Sequence, residues 1–162
     1  MIMKKNGFTL VELLVVISII SILTIITVSQ FQTAKRKSND VQRKGDINSV
    51  SKALLTYYND YNYFPNAVDG QIEGAIWGGS FEDTTSTPAY VYMKEMPREN
   101  YLDVPYCYQV DDSNSPKKFA LFAQLENTED KECIGSYSCN GNSYCYAVTS
   151  PNTSLNEDGT FK

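Results

Sequence analysis

Phe8-Thr9-Leu10-Val11-Glu12-Leu13-Leu14-Val15-Val16-Ile17-Ser18-Ile19-Ile20-Ser21-Ile22-Leu23-Thr24-Ile25-Ile26-Thr27-Val28 is a run of 21 residues with a single charge. At a helical rise of about 1.5 Å per residue it measures roughly 30 Å, the thickness of a bilayer's hydrocarbon core. Its Ile and Val content disfavours an isolated helix in water. In lipid the backbone must satisfy its own hydrogen bonds, and helix is the single-segment solution. A secretory signal peptide has a shorter apolar core, about 7 to 15 residues, followed by small residues at its cleavage site. Here Ser29-Gln30-Phe31-Gln32-Thr33-Ala34 follows instead. A plain membrane anchor fits the length but leaves Glu12 unexplained, because an ionised carboxylate near lipid costs free energy unless a partner answers it.

Working outward, Met1-Ile2-Met3-Lys4-Lys5-Asn6-Gly7 precedes the run. Together with Phe8-Thr9-Leu10-Val11-Glu12-Leu13-Leu14 it resembles the class III signal of bacterial type IV prepilins and type II secretion pseudopilins. The resemblance implies a leader over residues 1–7 bearing Lys4 and Lys5, cut after Gly7 by a membrane aspartyl peptidase, with methylation of the new amine on Phe8. It also implies that Glu12 sets register when subunits stack, by pairing with the Phe8 amine of a neighbour. Such a buried pair specifies more than it strengthens, since desolvation offsets attraction, whereas an unpaired buried charge is heavily penalised.

The apolar pattern continues as a helix. Phe31, Ala34 and Val41, then Ile47, Val50, Leu54, Tyr57 and Tyr61, recur at spacings that place them on one face. Residues 8–28 are therefore expected as a membrane and assembly helix and 29–61 as its amphipathic continuation, roughly 80 Å in all. Ala34 to Pro65, with its basic start, Ala-Leu, Tyr-Tyr-Asn-Asp and closing Tyr-Phe-Pro, resembles the stalk of major pseudopilins. Many pilins kink this helix at a proline where Ser29 stands here.

Residues 62–162 are left for a globular head. Asn62 to Asn100, with Gly78-Gly79, Pro65, Pro88 and Pro97, reads as a long connecting loop holding a short helix around Ala89 to Glu95. Trp77 is expected to pack over a sheet. Tyr106 to Val110 and Phe119 to Glu126 alternate around a turn and predict an antiparallel hairpin, with Tyr144 to Val148 as a third strand. The fold class is α+β, a long helix on a small antiparallel sheet, as in the heads of the family it resembles.

Composition narrows the chemistry. No histidine is present, so neither a Ser-His-Asp arrangement nor a histidine-bearing metal site can form, and no catalytic group is nominated. Cys107, Cys133, Cys139 and Cys145 contain no Cys-x-x-Cys pair and read as two disulfides, hence an oxidising, extracytoplasmic setting; three pairings are open. Gln30 to Tyr61 carries six Lys/Arg against three acids, and Asn62 to Lys162 six against fifteen. So acidic a head argues against nucleic-acid binding. The basic cluster Lys35 to Lys44 is either a solvated face or a contact for acidic heads of neighbours. A count of flanking positives would put the head in the cytoplasm. The family resemblance and the cysteines point the other way.

No cofactor or metal is expected from motifs. Ser154, Asn156, Asp158 and Gly159 copy half of a calcium loop whose twelfth-position Glu is missing. Major pseudopilins bind calcium near the C-terminus, so the resemblance leaves an irregular site at Asp158 open. The expected function is a structural subunit of a type IV pilus-like or pseudopilus filament. Its partners are then further copies, prepilin peptidase, a membrane assembly platform and minor pilins or pseudopilins. A single-pass precursor in the cytoplasmic membrane would precede a cell-surface or periplasmic filament. The alternative is a monomeric, membrane-anchored extracytoplasmic binding module.

Overall fold

A computed structural model of the chain describes residues 7–85, 87–100 and 102–162; Lys4 and Lys5 of the leader lie outside them. The chain divides into two units, Met1–Lys37 and Ser38–Lys162. One helix, α1 (Leu10–Tyr61), contributes to both and runs as helix through position 29.

In the first unit, side chains on every face of α1 are exposed, among them Leu13, Val16, Ile17, Ile20 and Leu23. A helix apolar all round belongs either in a protein core or in lipid. This one is long and apolar enough to cross a membrane, and none of its apolar stretch is buried within the protein. Three of its hydroxyls are absorbed locally: Ser18 Oγ donates to Val15 O at 2.7 Å, Ser21 Oγ to Ile17 O at 2.7 Å and Thr24 Oγ1 to Ile20 O at 2.8 Å. These three polar residues thus enter the span with their donors satisfied.

In the second unit, α1 buries Asp40, Arg43, Ile47, Val50 and Leu54, a regular three-four repeat. The stripe from Ile47 onward is as the spacing predicts. Val41, expected on it, is 69% exposed. Counting back from Ile47 by fours and threes reaches Arg43 and Asp40 instead, and these charges are tolerated inside because they pair. Fully burying Ile47, Val50 and Leu54 contributes about 1.5–3 kcal/mol each. The helix ends where Asn62 takes a left-handed conformation and its N–H closes on Tyr58 O at 2.7 Å.

Two hairpins follow. β1 (Ala67–Val68) and β2 (Gln71–Ile72) are joined by Asp69-Gly70, both with positive φ, the two-residue turn that matches strand twist. A Cβ on Gly70 would stand 2.7 Å from Cys107 Sγ, so this turn tolerates no side chain. β3 (Phe81–Asp83) pairs with β4 (Tyr90–Met93). This corrects two expectations. Residues 62–100 are not one unstructured connection, and Ala89 to Glu95 holds a strand, not a helix. Tyr90-Val91-Tyr92-Met93 is β-prone and too short between Pro88 and Pro97 to nucleate a stable helix.

The main sheet has the order β5-β6-β9, all antiparallel, from β5 (Cys107–Val110), β6 (Phe119–Ala123) and β9 (Tyr146–Thr149). The predicted hairpin is β5–β6. The third strand begins two residues later than expected, because Tyr144 belongs to a separate hairpin of β7 (Tyr137–Cys139) and β8 (Asn142–Tyr144). Every residue of β6 is buried. Phe119, Leu121 and Ala123 join the helix stripe, Phe64, Ile72, Met96 and Tyr108 in one cluster. Ala120 and Phe122 face a second cluster with Cys107, Cys139 and Tyr144. The head is thus a helix, a sheet and a C-terminal flap in layers, an α+β arrangement with small antiparallel sheets.

Candidate functional site

The residues nominated by sequence begin at Gly7, around which no atom stands within 4 Å of an added Cβ, and Phe8, which is 79% exposed. Among the described residues nothing crowds Gly7 or covers Phe8. Helix α1 starts two residues later, and its start is built by Thr9 and Glu12. Glu12 Oε2 accepts from Thr9 N at 2.9 Å and from Thr9 Oγ1 at 2.8 Å, while Glu12 N donates to Thr9 Oγ1 at 3.3 Å. This is a reciprocal capping box, which satisfies backbone donors that a helix N-terminus otherwise leaves open. A carboxylate in the first turn also meets the positive end of the helix dipole. Thr9 was missed as a functional residue. Its signal was present: Thr-x-x-Glu directly before an apolar run.

The box uses one oxygen of the Glu12 carboxylate. No salt bridge to Glu12 forms among the described residues, and the next acid along the chain is Asp40. A negative group one turn above the Gly7–Phe8 bond is thus oriented by Thr9 and meets no cation among the described residues. Chemically it can hold a cation brought from outside the described residues, and it can do no acid–base catalysis without a reacting group beside it.

The four cysteines form two disulfides, Cys107–Cys139 and Cys133–Cys145, and no free cysteine remains among the described residues. The first ties β5 to the flap. The second closes the loop that carries the β7–β8 hairpin.

The basic cluster separates into two parts. Arg43 is 1% exposed; its Nη1 meets Asp40 Oδ1 at 2.7 Å, its Nε Glu99 Oε2 at 2.7 Å and its Nη2 Glu126 Oε1 at 2.9 Å. Burial works against this charge, and hydrogen bonds to Glu99 and Glu126 outweigh it, holding the guanidinium above its ordinary pKa. Asp40 also accepts from the N–H groups of Glu126 and Asn127 at 2.8 and 2.9 Å. Lys44 Nζ meets Asp130 Oδ1 at 2.8 Å and Glu132 Oε2 at 2.5 Å. Those two pairs more than offset its burial and raise its pKa, while the Lys44 hydrogen bond lowers that of Asp130. Arg43 and Lys44 therefore serve the head's own fold, which the reading of the cluster as one surface did not foresee. Lys35, Arg36 and Lys37 are exposed.

Trp77 packs against Tyr106, ring centroids 5.5 Å apart. Asp158 Oδ1 accepts from Thr160 N at 2.9 Å and Thr160 Oγ1 at 2.7 Å, closing a turn. Among the described residues no group of three or more Cys, Asp or Glu side chains is arranged to hold a metal ion.

Residues 2–28 match the family model described as the prokaryotic N-terminal methylation motif. No curated protein and no solved structure gives a significant match. The matched stretch contains Gly7, Phe8, the Thr9–Glu12 box and the membrane-length span. A prepilin-type methylation motif leading an exposed apolar helix is what the chain shares with type IV pilin-like proteins.

Proposed function

We propose that this chain is a structural subunit of an extracytoplasmic filament of the type IV pilus or type II secretion pseudopilus class. Prepilin peptidase cuts after Gly7 and methylates Phe8; the processed subunit then leaves the membrane and stacks helix against helix. The observation that carries the reading is Glu12, the one acid in a 21-residue apolar run, capped by Thr9 and lacking a cation among the described residues. Cleavage creates the missing cation, an amine on Phe8. A pair between Glu12 of one copy and that amine of the next removes two uncompensated charges at once. The two disulfides support an oxidising location for the head.

The test is Glu12→Ala in cells that assemble the filament. Membrane insertion and cleavage after Gly7 should persist, whereas fibres seen by electron microscopy should be lost or sharply reduced. Mass spectrometry of the purified product should find a chain beginning at methylated Phe8. A normal fibre yield from the variant, or a product that keeps Met1, would refute the assignment.

A further inference from the structure

Three consecutive cations lie just beyond the apolar span. Lys35, Arg36 and Lys37 are exposed, and no salt bridge to them forms among the described residues. No acid occurs between Glu12 and Asp40, and Asp40, four residues beyond Arg36, is buried and committed to Arg43, Glu126 and Asn127. The local sequence therefore supplies nothing to neutralise them.

We infer that Lys35, Arg36 and Lys37 form a collar that binds the phosphate headgroups of anionic phospholipids where the helix leaves the bilayer. The inference rests on the proposed reading of Phe8–Val28 as a membrane span. Depth is the first argument. Lys35 follows Val28 by seven residues, about 10 Å along the axis. Helical side chains lean toward the N-terminus, here toward the membrane, and long basic side chains snorkel. Each headgroup layer is about 5–7 Å deep. Extended cations from these positions reach that layer. Phe31, 70% exposed and about one turn above Val28, is at the level where aromatic rings favour the interface.

Distribution is the second argument. Successive helical residues turn by about 100°, so the three cations cover about 200° of the circumference. A single neighbouring protein surface can approach from one side only. A lipid leaflet surrounds the helix and answers all three.

The experiment uses the full chain reconstituted in mixed vesicles of phosphatidylcholine and phosphatidylglycerol, extracted in mild non-ionic detergent, with retained lipid quantified by mass spectrometry. The unaltered chain should retain phosphatidylglycerol above its bulk share by at least about 5-fold, the scale of one surface cation. High salt during extraction should reduce this. Lys35→Gln, Arg36→Gln and Lys37→Gln combined should return retention to the bulk share. Lys35→Arg with Lys37→Arg should keep the enrichment, and so should the charge-matched head variant Lys52→Gln, Lys94→Gln and Lys131→Gln, which alters only exposed residues. Equal enrichment in the collar variant, or equal loss in the head variant, would overturn the collar. Carbodiimide cross-links from Lys35 or Lys37 to an acid of another copy, with lipid at its bulk share, would likewise overturn it and assign these cations to a second copy. Failure of the collar leaves all variants in the vesicle fraction. Failure of the span reading is separate, because the unaltered chain then does not enter that fraction.

Discussion

Arg43→Ala removes the one cation that Asp40, Glu99 and Glu126 share. Removing one partner of a buried ion pair costs about 3–5 kcal/mol. The lower end applies here, because each acid keeps another donor. Asp40 retains the N–H groups of Glu126 and Asn127, Glu99 that of Leu102 at 3.1 Å, and Glu126 the Asn39 amide at 2.9 Å. A loss of about 3 kcal/mol is still a large share of the 5–15 kcal/mol roughly typical of a domain. Urea denaturation of the full chain in neutral detergent, disulfides intact and followed by the fluorescence of Trp77, the chain's single tryptophan, reads it directly. With a urea dependence of about 1–3 kcal/mol per molar, the midpoint should fall by about 1–3 M. Arg43→Lys keeps the charge and loses the fork, so its loss should be smaller. A deficit under about 1 kcal/mol would refute the view that this cluster fastens the helix to the head.

Breaking Cys107–Cys139, which spans 32 residues, should cost about 4 kcal/mol, against about 3 for Cys133–Cys145 across 12, on loop-closure grounds. Paired Cys→Ser variants compared by urea denaturation would expose a reversed order. For Asp46, burial raises the pKa, and the hydrogen bond from Tyr106 at 2.8 Å only partly offsets it. The folded state then holds this proton more tightly than the unfolded one, so its stabilising contribution, complete below the unfolded pKa, is lost as pH rises through the folded value. Asp46→Asn, fixed in the uncharged form, should be equal to or slightly above the unaltered protein at pH 7. The gap should stay under about 0.5 kcal/mol, since Asp46 is only half-buried and solvent still screens it, and should close near pH 3. A clear loss at pH 7 alone in a melting series would contradict this sign.

The long helix and the β5–β6 hairpin were legible because their periods persist over many residues. Ile47, Val50 and Leu54 repeat with helical spacing, and the alternation at Cys107 to Val110 marks a strand. What was not legible has physical causes. Asp40 and Arg43 occupy core positions that hydropathy assigns to solvent, and only their distant partners, Glu99 and Glu126, make burial tolerable. The β1–β2 and β7–β8 hairpins are very short, so no alternation develops. Their signal lies in the turns, Asp69-Gly70 and Asn140-Gly141, whose positive φ values identify them. Tyr90 to Met93 shows the reverse error: four residues carry too little pattern to separate helix from strand, and pairing with Phe81 to Asp83 decides. At the N-terminus Glu12 stood out by charge, whereas Thr9, polar and small, needed its spacing to Glu12 to be noticed.

The inward-turned hydroxyls of Ser18, Ser21 and Thr24 have a bearing on traffic between environments. Each spends its proton on a carbonyl of its own helix, so an oily chain and the flank of a second helix are interchangeable neighbours to it. Relocating the span from one to the other breaks none of these three bonds. At these positions the free-energy difference reduces to the fit of one greasy surface against another.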